Sequence, residues 1–514
     1  MFVPLTIGDF LDRANTVYGD RVAIVDEPDA AGSLGRITYA SLHRRARTMA
    51  AVLDRMGVAQ GERVAIVSPN SARFLVSFFG VSTYGRVLVP INFRLNVDEV
   101  SYIIDHSGAT VLLVDPELDE TLSGIQVKHR IVLDGVADAE LFADVADSRP
   151  ADWDGDENAT ASINYTSGTT ARPKGVQLTH RNVWLNAVIF GWHSTVTDRD
   201  VYLHTLPMFH CNGWGMPYTL TAMGAKQVVL RKVDGDEILN RIEAEGVTFL
   251  CGAPAVVAAI LDAAGRRRER GVAVPGRDRV RMVVAGAPPP RKTIERVETE
   301  LGWEFIQIYG LTETSPFLTM NRASYEWDGL TAPERADRLG RAGVPAVGVR
   351  MAVSDDGEVL ARSNHVFEGY WEQPEETAKA IRDGWFHTGD GGYLDGAYTV
   401  IADRKKDVII TGGENVSSIE VEDCLFQHPA VAEAAVIGVP DEKWGETVKA
   451  LVVLRPGFST GEDELRAFCR ERLAHFKCPT SIEIRDALAR TATGKLQKFK
   501  LREQYWSGRD RLVN

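Results

Sequence analysis

Between residues 165 and 175 the chain sets the hydroxyls of Thr166, Ser167, Thr169 and Thr170, the glycines Gly168 and Gly175 and the cations Arg172 and Lys174 around Pro173. Backbone N–H groups, hydroxyl donors and positive charge offered together are what a polyphosphate needs. The arrangement is not the P-loop pattern G-x-x-x-x-G-K-[ST], because Pro173 precedes Lys174 and Gly175 follows it. Taken alone, the stretch also reads as an ordinary polar turn. Other clusters must decide between the two.

Tyr309, Gly310, Thr312 and Glu313 directly follow the apolar run Phe305 to Ile308. A turn leaving the carboxyl end of a parallel strand is where α/β sheets gather ligands. This one offers an aromatic face, a tight glycine, a hydroxyl and a carboxylate, and the plainer alternative is a buried tyrosine beside a helix-capping threonine. Upstream, Gly286, Ala287 and Pro288 open a turn without large side chains, so a planar base has room against the backbone. A rigid proline turn would need the same residues. Asp390, ending the stretch Trp385 to Asp390, puts a carboxylate in a glycine turn, where both hydroxyls of a ribose could reach it; an Asx turn is the alternative. Arg404 would add its fork of donors to a nucleotide. Near the C-terminus, Lys495 lies in a glycine-containing loop able to carry it into a site built elsewhere, although a solvated surface lysine is the commoner fate of any single Lys.

In their order along most of the chain, these stretches closely resemble the signature motifs of the AMP-forming adenylating enzymes: acyl-CoA synthetases, 4-coumarate–CoA ligases, luciferases and peptide-synthetase adenylation domains. The resemblance implies an α/β fold with a large N-terminal domain of two α/β sheets and a small β-barrel, followed by a small mobile α+β C-terminal domain. It places the hinge at Lys406, hence domains over 1–405 and 406–514. By the same resemblance Thr166, Ser167, Gly168, Thr169, Thr170 and Lys174 hold and release pyrophosphate, and Gly286, Ala287 and Pro288 border the adenine on which Tyr309 stacks. Thr312 touches the α-phosphate, Glu313 holds Mg²⁺ through one carboxylate plus substrate phosphates, Asp390 holds the ribose, and Arg404 reinforces the nucleotide. Lys495 bridges the carboxylate and α-phosphate as charge develops.

The implied reaction has two steps. A carboxylic acid attacks the α-phosphorus of ATP, giving an acyl adenylate and pyrophosphate; the small domain then turns about Lys406, withdraws Lys495 and brings Gly412, Gly413 and Glu414 to the site, where a thiol takes the acyl group. The stretch Gly412 to Glu420 resembles acyl-CoA synthetases more than carrier-loading domains, so CoA is the expected acceptor. Trp444 and Phe476 match positions flanking the CoA nucleotide in some relatives, and are packing aromatics otherwise. His210, Trp214 and Gly310 are expected to line the acyl pocket, in a stretch resembling the branch that acts on short- to medium-chain or aryl acids; a satisfied histidine beside a core tryptophan is the alternative. The chain also departs from the pattern. Ala171 replaces a common glycine, Gly391 and Gly392 follow Asp390, the segment 353–361 looks trimmed, and Cys478 and Thr480 stand where some CoA-using relatives are basic. A carrier-protein thiol or an amine therefore stays open as acceptor, as does a nonenzymatic nucleotide-binding scaffold.

To bring such distant clusters together, 514 residues must form more than one domain. With 44% hydrophobic and 25% charged residues the composition is that of an ordinary globular protein. The net charge, 58 − 71 = −13, argues against a nucleic-acid partner or an anionic-membrane surface. Arg266 to Arg268 read as a solvated helix end. Five scattered cysteines without C-x-x-C spacing suit a reducing compartment with neither a disulfide framework nor a zinc site. The N-terminus lacks a leader pattern and no run reaches about 18 apolar residues, so a cytoplasmic enzyme with no integral membrane segment is expected; an oligomer is possible.

Buried strands are expected at Val64–Val67, Val87–Val89 and Val111–Val114, with a capping box at Asn96 and Glu99 and a helix stop at Gly108. A second set falls at Val228–Leu230, Val247–Cys251, Met282–Ala285 and Phe305–Ile308; the alternation with helices means parallel sheets. The segment 322–341 reads as a surface excursion. Beyond Asp407, capping boxes are expected at Ser417 with Glu420 and at Ser459 with Glu462, and strands at Ala434–Ile437 and Ala450–Leu454.

Overall fold

The computed structural model describes the chain except for residues 167–171, 287–288, 405–406, 412–413, 442–443, 491–495 and 507–514 and the side chains of 403, 404 and 415. The expectations for Ser167, Gly168, Thr169, Thr170, Ala287, Pro288, Lys406, Gly412, Gly413, Lys495 and the Arg404 side chain thus fall outside the described residues.

Continuous apolar runs suit strands covered on both faces, and here they build two large sheets. One has seven strands, in the spatial order Gly369–Tyr370, Lys174–Thr179, Thr160–Thr166, Val87–Ile91, Arg63–Val67, Ala109–Val114, His129–Val132. The other has nine strands, and its centre runs Glu304–Tyr309, Arg281–Val284, Phe249–Gly252, Val201–His204, Lys226–Val229 in parallel. Helix Ala72–Ser82 is buried along its whole length, as befits a helix that is apolar on nearly every face. Its Phe74, Phe78 and Phe79 belong to one core shared by residues of both sheets. The Asn96–Glu99 capping box forms, and Gly108 ends that helix at φ +62°.

The expected small barrel corresponds to a five-stranded antiparallel sheet that includes Arg350–Val353, Glu358–Arg362, Trp385–Asp395 and Tyr398–Arg404. The trimmed segment proves to be a tight hairpin turn, with Ser354 N donating to Glu358 O at 2.9 Å. After it comes a small α+β unit: strands Ile409–Thr411, Glu414–Val416, Val431–Asp441, Gly445–Leu454 and Ser481–Ile484 with helices Ser418–Phe426, Glu462–Arg470 and Lys498–Trp506. It has apolar clusters of its own.

Several local expectations are corrected. Helix Glu462–Arg470 starts after Gly461 without a side-chain cap; the Glu462 carboxylate accepts from Ile482 N instead, so a long-range partner outcompetes the local box with Ser459. At Ser417 only half of the box forms: its hydroxyl accepts from Glu420 N, but the Glu420 carboxylate is drawn to Lys477. The segment 322–341 is no mere excursion, since Trp327, Ala336 and Leu339 are buried in the second core. Of the three arginines 266–268, Arg267 is buried and paired with Glu243 and Asn240.

Arg502, on the last helix, reaches Asp407 at 2.6 Å, with side chains only 9% and 11% exposed. This pair fastens the start of the small unit to its end. Removing one partner of a buried pair typically costs about 3 kcal/mol. Arg502→Ala is therefore expected to raise the rate of limited proteolysis within the small unit by about 10²-fold, and unchanged cleavage would mean that the pair contributes nothing.

Candidate active site

The described residues on either side of the expected phosphate loop form an antiparallel strand pair. Thr166 stands opposite Lys174 at the neck, where the strands Thr160–Thr166 and Lys174–Thr179 pair antiparallel. Tyr165 and Tyr102 brace the neck: Tyr165 Oη lies 2.8 Å from His106 Nδ1, and Tyr102 Oη donates to the Pro173 carbonyl at 3.3 Å. The Lys174 ammonium pairs with Glu376 and sits 4.9 Å from the centre of the Tyr370 ring. Tyr370 Oη in turn donates to Glu313 Oε1 at 2.8 Å. A single aromatic side chain thus links the phosphate-side lysine to the expected metal carboxylate.

Burial, with the Glu313 carboxylate alongside, pushes the Tyr370 phenol well above its usual range, so it donates and stays neutral. Hydrogen bonds from Lys174 and then Lys379 pull the Glu376 carboxyl down from 4.5 to about 2. A depressed carboxyl contributes its stability in full above the ordinary value and loses it as pH falls through the depressed one. The Lys174–Glu376 pair therefore holds throughout the neutral range.

Tyr309, Gly310, Thr312 and Glu313 leave the carboxyl end of Glu304–Tyr309, and the parallel register of Val284 with Gln307 carries Gly286 toward the level of Tyr309. Gly286 sits at φ +93° with open space where a Cβ would project. Gly310 is the opposite case, because a Cβ there would stand 1.6 Å from the Pro316 carbonyl oxygen. Tyr309 Oη donates to Asp390 Oδ2 at 2.8 Å. Asp390 does not sit in the expected glycine turn. It lies within the strand Trp385–Asp395 opposite Arg404, directly after Gly389 at φ +72°, where a register shift against Glu358–Arg362 marks a bulge. Thr312 is buried, in the short turn Thr312–Thr314.

His210 opens the turn Cys211–Trp214, and Trp214 is only 5% exposed. Cys211 Sγ lies 3.9 Å from the Thr312 carbonyl, which places this turn against the expected nucleotide cluster. Burial, with Glu313 nearby, pushes the Cys211 thiol up, so it stays an inert thiol. The residues expected for CoA belong to the small sheet. Thr411 pairs with Glu414 and with Gly445, next to Trp444, and the turn His475–Lys477 carrying Phe476 packs by the strand of Glu414. Trp444 and Phe476 are 48% and 44% exposed, more than side chains kept for packing need.

A lone, hydrogen-bonded carboxylate is the donor set that Mg²⁺ takes when substrate phosphates supply the rest. Glu313 fits that description, and among the described residues no group of three His, Cys, Asp or Glu forms a resident metal cage.

Tyr370 and Glu376 were not singled out by sequence reasoning. Glu376 stands 202 residues from Lys174, and its only local signal is an acidic pair opening the helix Pro374–Ala380. Removing this half-buried pairing frees Lys174 and takes a negative charge away from an incoming polyphosphate. Glu376→Gln is accordingly expected to lower the KM for ATP about two- to fivefold with kcat little changed; an ATP titration measures it, and a raised KM would assign Glu376 a supporting role instead.

Among known proteins, a family model described as AMP-binding enzyme matches residues 11–371, and one described as AMP-binding enzyme C-terminal domain matches 420–495. The chain is 38% identical to a 4-hydroxybutyrate–CoA ligase of Metallosphaera sedula, over 96% of this chain and 93% of that protein. It is 37% identical to a 2-methylpropanoate–CoA ligase of Humulus lupulus, over 97% and 95%. The o-succinylbenzoate–CoA synthetase of Bacillus subtilis, solved with its acyl-adenylate intermediate, superposes with a TM-score of 0.81 at 29% identity, over 96% of this chain and 97% of that one. No helix among the described residues is long and apolar enough to cross a membrane.

Proposed function

We propose that this chain, which belongs to the AMP-binding enzyme family, is an ATP-dependent acid–CoA ligase that makes an acyl adenylate and then a CoA thioester from a short-chain acid. The observation that carries the reading is the Lys174–Tyr370–Glu313 connection, which joins the phosphate side to the nucleotide turn. The relatives named for four-carbon acids support the short chain.

In this reading Lys174 and Thr166 receive the β- and γ-phosphates, Tyr309 stacks on the adenine beside Gly286, and Asp390, with Arg404, takes the ribose hydroxyls. Glu313, oriented by Tyr370, would hold Mg²⁺, which supplies charge neutralisation on the phosphates. The acid, lodged between Gly310 and the His210–Trp214 turn, attacks the α-phosphorus; its carboxylate oxygen forms the new P–O bond as the bond to pyrophosphate breaks. Lys495 stabilises the charge gathering there. The domain from 406 onward then turns at Lys406 to present Gly412, Gly413 and Glu414, and CoA, seated against Trp444 and Phe476, delivers its thiolate to the acyl carbon and expels AMP. Five free, buried cysteines suit a reducing compartment such as the cytoplasm.

A panel of two- to eight-carbon and aryl acids with ATP and Mg²⁺, with and without CoA, tests the reading. AMP and thioester should appear in equal amounts, most with short acids. Pyrophosphate release without any thioester would sink CoA as acceptor and favour a carrier thiol or an amine.

A further inference from the structure

The turn that bears the expected acyl residues has an unusual backbone. Cys211, Asn212, Gly213 and Trp214 have φ of +46°, +52°, +59° and +59°, and Gly215 follows at +77°. Left-handed helical backbone costs an L residue about 1–2 kcal/mol, and three of the first four carry side chains. Such a run persists only where its surroundings over-determine it. The surroundings here are specific. Asn212, 2% exposed, accepts from Asn164 Nδ2 at 3.1 Å and donates to Ser162 Oγ at 2.8 Å, while Ser162 Oγ donates to Asn164 Oδ1 at 3.1 Å. These three side chains close a ring. Ser162 and Asn164 lie on the strand that runs into Thr166 at the phosphate loop. On the opposite side Asn186 donates to the Trp214 carbonyl and accepts from Phe317 N.

Resting on the ligase reading above, we propose that Asn212 is a positioning residue for the acid. Its ring with Ser162 and Asn164 locks the left-handed turn in register with the phosphate-loop strand, so His210 and Trp214 present one fixed wall at a fixed distance from the nucleotide. Trp214 is itself only 5% exposed, and Met208, Phe209 and Cys211 are buried in the same core. Packed atoms rather than open space lie there, so the wall limits acid length without touching ATP.

Steady-state pyrophosphate release by the full chain, with acid and ATP varied in turn, tests this. Asn212→Gly keeps a backbone at ease with positive φ but deletes the ring. It should raise the KM for a four-carbon acid about fivefold or more while leaving the KM for ATP within about twofold, and it should raise the kcat/KM ratio of six- to four-carbon acid about threefold. Asn212→Ala adds the backbone penalty and should go further. Should the glycine variant not fold, Asn164→Ala opens the ring with residue 212 intact and should give the same split. Parallel changes in both KM values, or an unaltered length profile, would reduce the ring to ordinary packing and overturn the proposal. A wild-type chain that releases no pyrophosphate with any acid would overturn the ligase reading itself, and this inference with it.

Discussion

Gly310→Ala is expected to suppress acid-dependent ATP–pyrophosphate exchange about 10²-fold or more while leaving the far-ultraviolet dichroism of the chain unchanged. The added methyl would stand 1.6 Å from the Pro316 carbonyl oxygen and 2.8 Å from its carbon. Neither atom is the free end of a flexible side chain, so the main chain itself must move. Movement on the far side is resisted, because Thr314 Oγ1 accepts from Leu311 N at 2.9 Å and lies 2.9 Å from the Pro316 carbonyl, and Ser315 Oγ donates to the His365 carbonyl at 2.8 Å. The displacement falls instead on Tyr309 and Thr312, and with them on the Tyr309–Asp390 hydrogen bond. A shift of about 1 Å in groups that align a nucleotide for in-line attack is enough for a loss of that order. Exchange at the wild-type rate would mean that the turn does not hold the nucleotide.

How far this site could be read from the residues depends on where the information lies. The strands around it were legible because burial on both faces demands unbroken apolar runs, as at Val64–Val67 and Met282–Ala285. The turns were legible where a glycine had to be there: Gly108 as a helix stop, Gly310 as a close approach. Tyr370 and Glu376 were not, because nothing in their local spacing announces a partner 57 or 202 residues away. The cap expected at Ser459 failed for a related reason, since Glu462 had a better acceptor role toward Ile482 in a neighbouring strand. The left-handed turn gave one local hint, the dipeptide Asn212–Gly213, which signals a turn. Its hand and its locking ring depend on Ser162 and Asn164, about fifty residues upstream.

The loss of Lys495 should be unequal between the two half-reactions. Lys495→Ala is expected to slow adenylate formation by about 10²–10³-fold, the range for removing one preorganised donor aimed at developing charge. Thioester formation from a supplied acyl adenylate and CoA should change only a few-fold, because in the proposed reaction that step follows withdrawal of the lysine. The described residues on either side of it are anchored. Arg490 and Leu496 pair in a short β-bridge, and Gln497 N donates to the Ala489 carbonyl at 2.8 Å, which closes the neck of the loop. Arg490 is held by Glu433 at 2.7 Å, and Lys498, only 11% exposed, by Glu422 at 2.8 Å. Anchors on both flanks bind the neighbouring residues to the small domain; under the proposed two-step reaction, Lys495 would travel with that domain as it turns. Rapid-quench measurement of each half-reaction gives the comparison. Equal losses in both would place the lysine at the site throughout and remove the need for a domain rotation, whereas a loss confined to the first step requires the small domain to have two positions.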